Sequence, residues 1–126
     1  MQKDKLTHVS LISRVLLGFL FIYHGLVPKK LWLSAVEVHL VSTSALGVPA
    51  KIASPLVGIV EIVLGCAIIF LNKSNIPVYI AVAILLLLLL SVAVASPMYS
   101  IGAFNPITTN ILGLGFCYLI LFVDKA

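Results

Sequence analysis

In a chain of 126 residues, 62% hydrophobic and only 10% charged, too little charge remains to solvate a globule of this size. With a mean hydropathy of +1.24, the composition excludes a soluble enzyme, a disordered tail, a collagen and a nucleic-acid module, since soluble domains carry about 25% charged residues. The net charge of +4 sits mostly at the ends of apolar segments, where basic side chains snorkel to headgroups and bias topology.

A membrane helix takes about 20 apolar residues, so four crossings and their loops use up the chain and leave one domain, residues 1–126. The start Met1 to Lys5 precedes a long apolar stretch with no small-x-small cleavage site, which reads as a retained signal anchor. The first span covers about residues 9–27 and stops at Pro28-Lys29-Lys30. In the following stretch, 31–46, Trp32, Leu33, Val36 and Leu40 fall at helical spacing, and Gly47 and Pro49 mark a stop. We read it as a short interfacial helix on the outer surface, anchored by Trp32. The alternation Val36-Glu37-Val38-His39-Leu40 also suits a strand, but a lone strand there has no partner. Ser54-Pro55 supplies an N-cap and first helical position for the second span, about 54–71.

Asn72-Lys73-Ser74-Asn75 is a short polar turn. The third span, about 76–95, contains the leucine run Leu85 to Leu90. An uncharged loop, 96–105, leads to Asn105-Pro106, which caps the fourth span, about 107–123, before Asp124-Lys125. Strands are excluded because open sheet edges go unsatisfied in lipid and no alternating ten-residue pattern repeats. The fold expected is an all-α integral membrane protein: an antiparallel four-transmembrane-helix bundle with a short interfacial helix between spans 1 and 2. Basic residues orient it. Lys3, Lys5, Arg14, Lys73 and Lys125 fall on one side and Lys29, Lys30 and Lys51 on the other, which sets both termini in the cytoplasm.

The residues that cost most where they sit are the informative ones. Glu61 is central in the second span, where a charged side chain costs roughly 2.5–3.5 kcal/mol even on lenient scales. Gly58 and Gly65 share its face, so a neighbouring helix approaches closely there. Arg14, just inside the first span, is its natural ion-pair partner, with Gly18 and Phe21 continuing the arginine's face. The plainer reading has Arg14 snorkelling to headgroups and Glu61 protonated. The pair, if formed, serves either helix register or a ligand. His24, roughly 15 Å outward of Arg14, and Asn110, one turn into the fourth span, lie at similar depth. Asn105, Thr108 and Thr109 crowd the same helix start. Arg14, His24, Glu61, Asn105 and Asn110 thus form a candidate polar crevice opening outward, although His24 and Asn110 can equally satisfy each other and Asn105 can be a cap alone.

Cys66 is about 140° around the helix from Glu61, so the two cysteines read as apolar fillers rather than a redox pair. Tyr23, Tyr79, Tyr99 and Trp32 fit an interfacial aromatic belt. No metal-ligand spacing, phosphate loop or nucleophile elbow occurs, and no metal is expected.

The segments Arg14-Val-Leu-Leu-Gly18 through His24-Gly25, Gly58-Ile-Val-Glu61-Ile-Val-Leu-Gly65, His24-Gly25-Leu-Val-Pro28-Lys29 and Phe104-Asn105-Pro106-Ile-Thr108-Thr-Asn110 resemble the DoxX-like membrane proteins. The resemblance implies a four-helix bacterial inner-membrane protein and carries the family's arginine and glutamate onto Arg14 and Glu61. The wider family includes small subunits of thiosulfate–quinone oxidoreductases. This chain has no nucleotide-binding fingerprint, so a redox role would depend on a partner.

The leading functional expectation is a small inner-membrane accessory subunit that binds quinone or another lipophilic ligand in a redox system, with no enzyme activity of its own. The alternatives are a minimal oligomeric transporter or conduit for protons or small solutes, and a structural or assembly protein. Its expected partners are membrane lipids, a redox protein and further copies of the chain; nucleic acid is not among them.

Overall fold

A computed structural model of the protein describes residues 1–26, 50–95 and 106–125. The expected interfacial helix at 31–46 and the uncharged loop 96–105, Asn105 included, lie outside the described residues. Four helices make up what is described: α1 (Gln2–Leu26), α2 (Ala50–Phe70), α3 (Ile76–Ala95) and α4 (Pro106–Lys125). By length and composition α1, α3 and α4 are each able to cross a membrane, and the apolar part of α2, Pro55–Phe70, is a shorter segment. Counted from Ala50, α2 has 21 residues, about 31 Å of helix. The described residues form helices and their connecting turn, and the protein is a multi-pass membrane protein.

The helix ends follow from local chemistry. At α1 the helix begins at Gln2, about two turns before the apolar span that starts near Val9. Its polar start, Gln2 to His8, contains neither glycine nor proline, so nothing stops it extending beyond the hydrocarbon. Helix α2 also starts earlier than the Ser54-Pro55 cap predicts, which leaves Pro55 inside the helix rather than at its first position. Proline this close to a helix start costs one backbone hydrogen bond, and the turn before it continues regardless. Between α2 and α3 the chain turns on Asn72 and Lys73. Ser74 Oγ accepts from the Ile76 N–H at 3.3 Å, and the Asn75 carbonyl accepts the first helical bond of α3, from the Tyr79 N–H, at 3.0 Å. Pro106 opens α4, where its missing N–H is not needed.

The helices run alternately up and down, and α1 packs along both α2 and α4, with α3 against α4. Consecutive helices α2 and α3 touch little beyond their shared turn. The core is formed by Leu17 and Phe21 of α1, Leu64 and Ile68 of α2, Val78, Ala81 and Leu85 of α3, and Cys117 and Ile120 of α4. The outward faces are equally apolar, with Phe19, Val63, Leu87 and Leu112 all exposed. A helix apolar on every face belongs in lipid.

The closest approach is between α1 and α2. A Cβ added to Gly18 would stand 2.7 Å from the Gly65 carbonyl oxygen, and one added to Gly65 would stand 2.6 Å from that of Gly18. Gly25 meets the Gly58 carbonyl in the same way. These two glycine pairs, seven residues apart on each helix, fix the antiparallel register of the seam.

Candidate functional site

Polar side chains are buried at two levels of the bundle. The first is built on Arg14, whose relative exposure is 1%. Its Nη2 donates to Asp124 Oδ2 at 2.9 Å, to Asn75 Oδ1 at 2.7 Å and to the Ser74 carbonyl at 3.3 Å. Its Nη1 donates to the Ile68 carbonyl at 3.3 Å. Ser10, one turn before Arg14, donates its hydroxyl to the other carboxylate oxygen, Asp124 Oδ1, at 2.7 Å. One guanidinium thereby holds the last turn of α2, the α2–α3 turn, the N-cap of α3 and the end of α4. The Ile68 carbonyl belongs to a helix C-terminus, where the backbone dipole favours a cation. A planar fork with five donors suits such a divided set of acceptors better than an ammonium would.

This arrangement corrects the expected pairing of Arg14 with Glu61. Gly18 faces Gly65 and Gly25 faces Gly58, so Glu61 falls opposite about position 22 of α1, beside the Gly25 contact. That level is eight residues beyond Arg14 on α1, about 12 Å along the axis. The guanidinium is turned the other way, toward Asp124, Asn75 and the end of α2. Depths measured from assumed span ends brought the two groups too close, whereas the glycine pairs set the true register and put Arg14 beside the end of α2. Nor does Arg14 snorkel to headgroups, being buried and held through both terminal nitrogens.

The second level contains Glu61, 4% exposed, and Asn110, 8% exposed. Their placement follows from the seams. On α2, Glu61 lies between Gly58 and Gly65, the glycines that meet Gly25 and Gly18 of α1. On α4, a Cβ on Gly113 would stand 3.0 Å from Leu20 of α1. Asn110, three residues toward the start of this antiparallel helix, therefore falls level with Tyr23, one residue from His24. The half-buried His24, Glu61 and Asn110 thus share one layer of the bundle, roughly 12–15 Å from Arg14. His24 also meets the ring of Tyr23 edge-on at 6.0 Å. Neither His24 nor Glu61 is without a partner, and the same holds for Thr108 and Thr109 at the start of α4.

Of the five residues expected to line one crevice, His24, Glu61 and Asn110 come to one level. Arg14 belongs to the other end, and Asn105 lies outside the described residues. Asp124, Asn75, Ser74 and Ser10 are the polar residues that the sequence reading passed over. The signal was present for Asp124. In four antiparallel helices the end of the fourth returns to the start of the first, which brings the only acid of the last helix next to the only arginine. Cys66 and Cys117 are both free thiols, one half-buried and one in the core. No cluster of three His, Cys, Asp or Glu that could hold a metal forms among the described residues.

A family model described as the DoxX-like family matches residues 18–118, about four-fifths of the chain. The matched stretch contains Gly18, His24, Glu61, Asn105 and Asn110 and stops short of Arg14 on one side and Asp124 on the other. No curated protein and no solved structure matches the chain.

Proposed function

The chain belongs to the DoxX-like family, and from that premise we propose that it is a small accessory subunit of the bacterial inner membrane that binds quinone or another lipophilic ligand for a redox partner protein. The observation that carries this reading is Glu61, a carboxyl group 4% exposed within an apolar helix. An ionisable residue at such depth is expensive and is kept for function by default. Arg14 does not relieve that cost, because its hydrogen bonds go to Asp124, Asn75 and two backbone carbonyls.

The chemistry of the layer suits a ligand with carbonyl oxygens on an apolar body. A protonated carboxyl, an imidazole N–H and a primary amide each donate to a carbonyl, and the first two also exchange protons. Apolar side chains above and below accept the rest of such a molecule. The assembly reading fits Arg14, which ties helices together, and the binding reading fits Glu61. With Lys3, Lys5, Lys73 and Lys125 gathered at the end of the bundle that holds both chain termini, that end faces the cytoplasm.

Native mass spectrometry of the detergent-purified protein tests the reading. A quinone-like mass should remain bound to the wild type and be lost from Glu61→Gln with an unchanged melting temperature. Retention by Glu61→Gln, or no lipophilic adduct on the wild type, refutes it.

A further inference from the structure

The end of the bundle that holds Arg14 is more than a clasp. An open cleft of about 940 Å³ enters there between the first turns of α1, from Gln2 to Arg14, the α2–α3 turn and the end of α4. Its walls carry Lys3 and Lys73, and its floor is Ser10, Arg14 and Asp124. Three cations thus face one carboxylate. That carboxylate is already occupied, with Oδ2 taking Arg14 and Oδ1 taking Ser10. Lys3 and Lys73 are exposed. Arg14 Nε, buried in the floor, makes no hydrogen bond among the described residues. The cleft therefore presents a surplus of positive charge and of donors.

Its depth in the membrane is fixed by the apolar belt. Exposed large apolar side chains end at Val9 on α1, Met1 at the chain start aside, at Leu71 after α2, Ile76 on α3 and Phe122 on α4. Lys3 and Lys73 lie just beyond that edge, where headgroups are. The wall includes Leu6 and Leu11, so the cleft is polar toward water and apolar toward the acyl region.

We propose that this cleft binds the phosphate of an anionic glycerophospholipid, with Lys3 and Lys73 as the charge-pairing residues. Basic pockets between membrane helices take such headgroups because each cation near the surface strengthens binding about fivefold. The phosphate diester sits between the two lysines, and its acyl chains follow the apolar wall into the leaflet. The site is independent of the ligand layer around Glu61.

Delipidated full-length protein in detergent, titrated in native mass spectrometry, tests this. Phosphatidylglycerol should be retained at about a tenth of the concentration that phosphatidylcholine of the same chains requires. Lys3→Gln with Lys73→Gln should weaken phosphatidylglycerol more than tenfold, while Lys3→Arg with Lys73→Arg retains it. Lys5→Gln with Lys125→Gln, an equal charge change at the same end but outside the cleft, should leave binding unchanged. Three results overturn the proposal: no preference of the wild type for phosphatidylglycerol, retention by the Lys3/Lys73 glutamine variant, or equal loss in the Lys5/Lys125 variant. If millimolar inorganic phosphate raises the melting temperature as much as phosphatidylglycerol does, the ligand is a free anion and the lipid assignment fails.

Discussion

Arg14 and Asp124 are 110 residues apart in the chain and 2.9 Å apart in the bundle, joining the first helix to the last. The arginine is buried, with its side chain 1% exposed, and the aspartate is partly covered at 22%. Removing one member of such a pair strands the other, whereas removing both does not. Asp124→Ala should therefore destabilise the protein by on the order of 2–4 kcal/mol, somewhat below a fully buried pair because water reaches the aspartate. Chemical denaturation in one detergent measures it.

Asn75 gives a way to move the charge. Its Oδ1 and Asp124 Oδ2 contact the same Nη2 of Arg14. Asn75→Asp placed in an Asp124→Asn background should thus recover more than half of the stability lost by Asp124→Asn alone. No recovery would mean that Asp124 acts through Ser10 or backbone contacts rather than through its charge on Arg14.

The glycine seam makes opposite predictions for chemically identical changes. Gly65→Ala drives a methyl group onto the Gly18 backbone oxygen, which cannot move aside as a side chain can. A cost of about 1–3 kcal/mol follows, or more where the helices separate. Gly115, with nothing within 4 Å of an added Cβ, faces lipid, so Gly115→Ala should be neutral to about 1 kcal/mol stabilising. Melting temperatures of the two variants decide it.

The thiols should differ in reactivity. Cys117 is 1% exposed in the core, while Cys66 is half-buried. A small maleimide should label Cys66 in the folded protein and reach Cys117 only after denaturation, as intact mass would record.

Sequence periodicity and hydropathy placed all four helices, and the third at its observed bounds, because apolar runs of fixed length are read directly in lipid. Hydropathy does not reveal where a helix continues into polar residues. The α1 start at Gln2 was missed for that reason, whereas the α2 start at Ala50 was missed because Ser54-Pro55 reads as a cap and Pro55 lies inside the helix. The glycines flanking Glu61 were legible as a close approach, yet their partners on α1 were not, and without the register the depth of Arg14 relative to Glu61 came out too small. Asp124 and Asn75 look like ordinary ends and turns in the sequence. Only the return of the chain to one end of the bundle makes them the partners of Arg14.

The central claim is a division of roles, with Arg14 closing the bundle through Asp124 and Glu61 standing apart from it. Coupling free energies from two double-mutant cycles, measured as unfolding in one detergent, test it most directly. For Arg14→Met with Asp124→Ala, the double variant should be less destabilised than the sum of the singles by about 1–3 kcal/mol. For Arg14→Met with Glu61→Gln, the costs should add within about 0.5 kcal/mol. Additive behaviour in the first cycle together with strong coupling in the second would contradict the account.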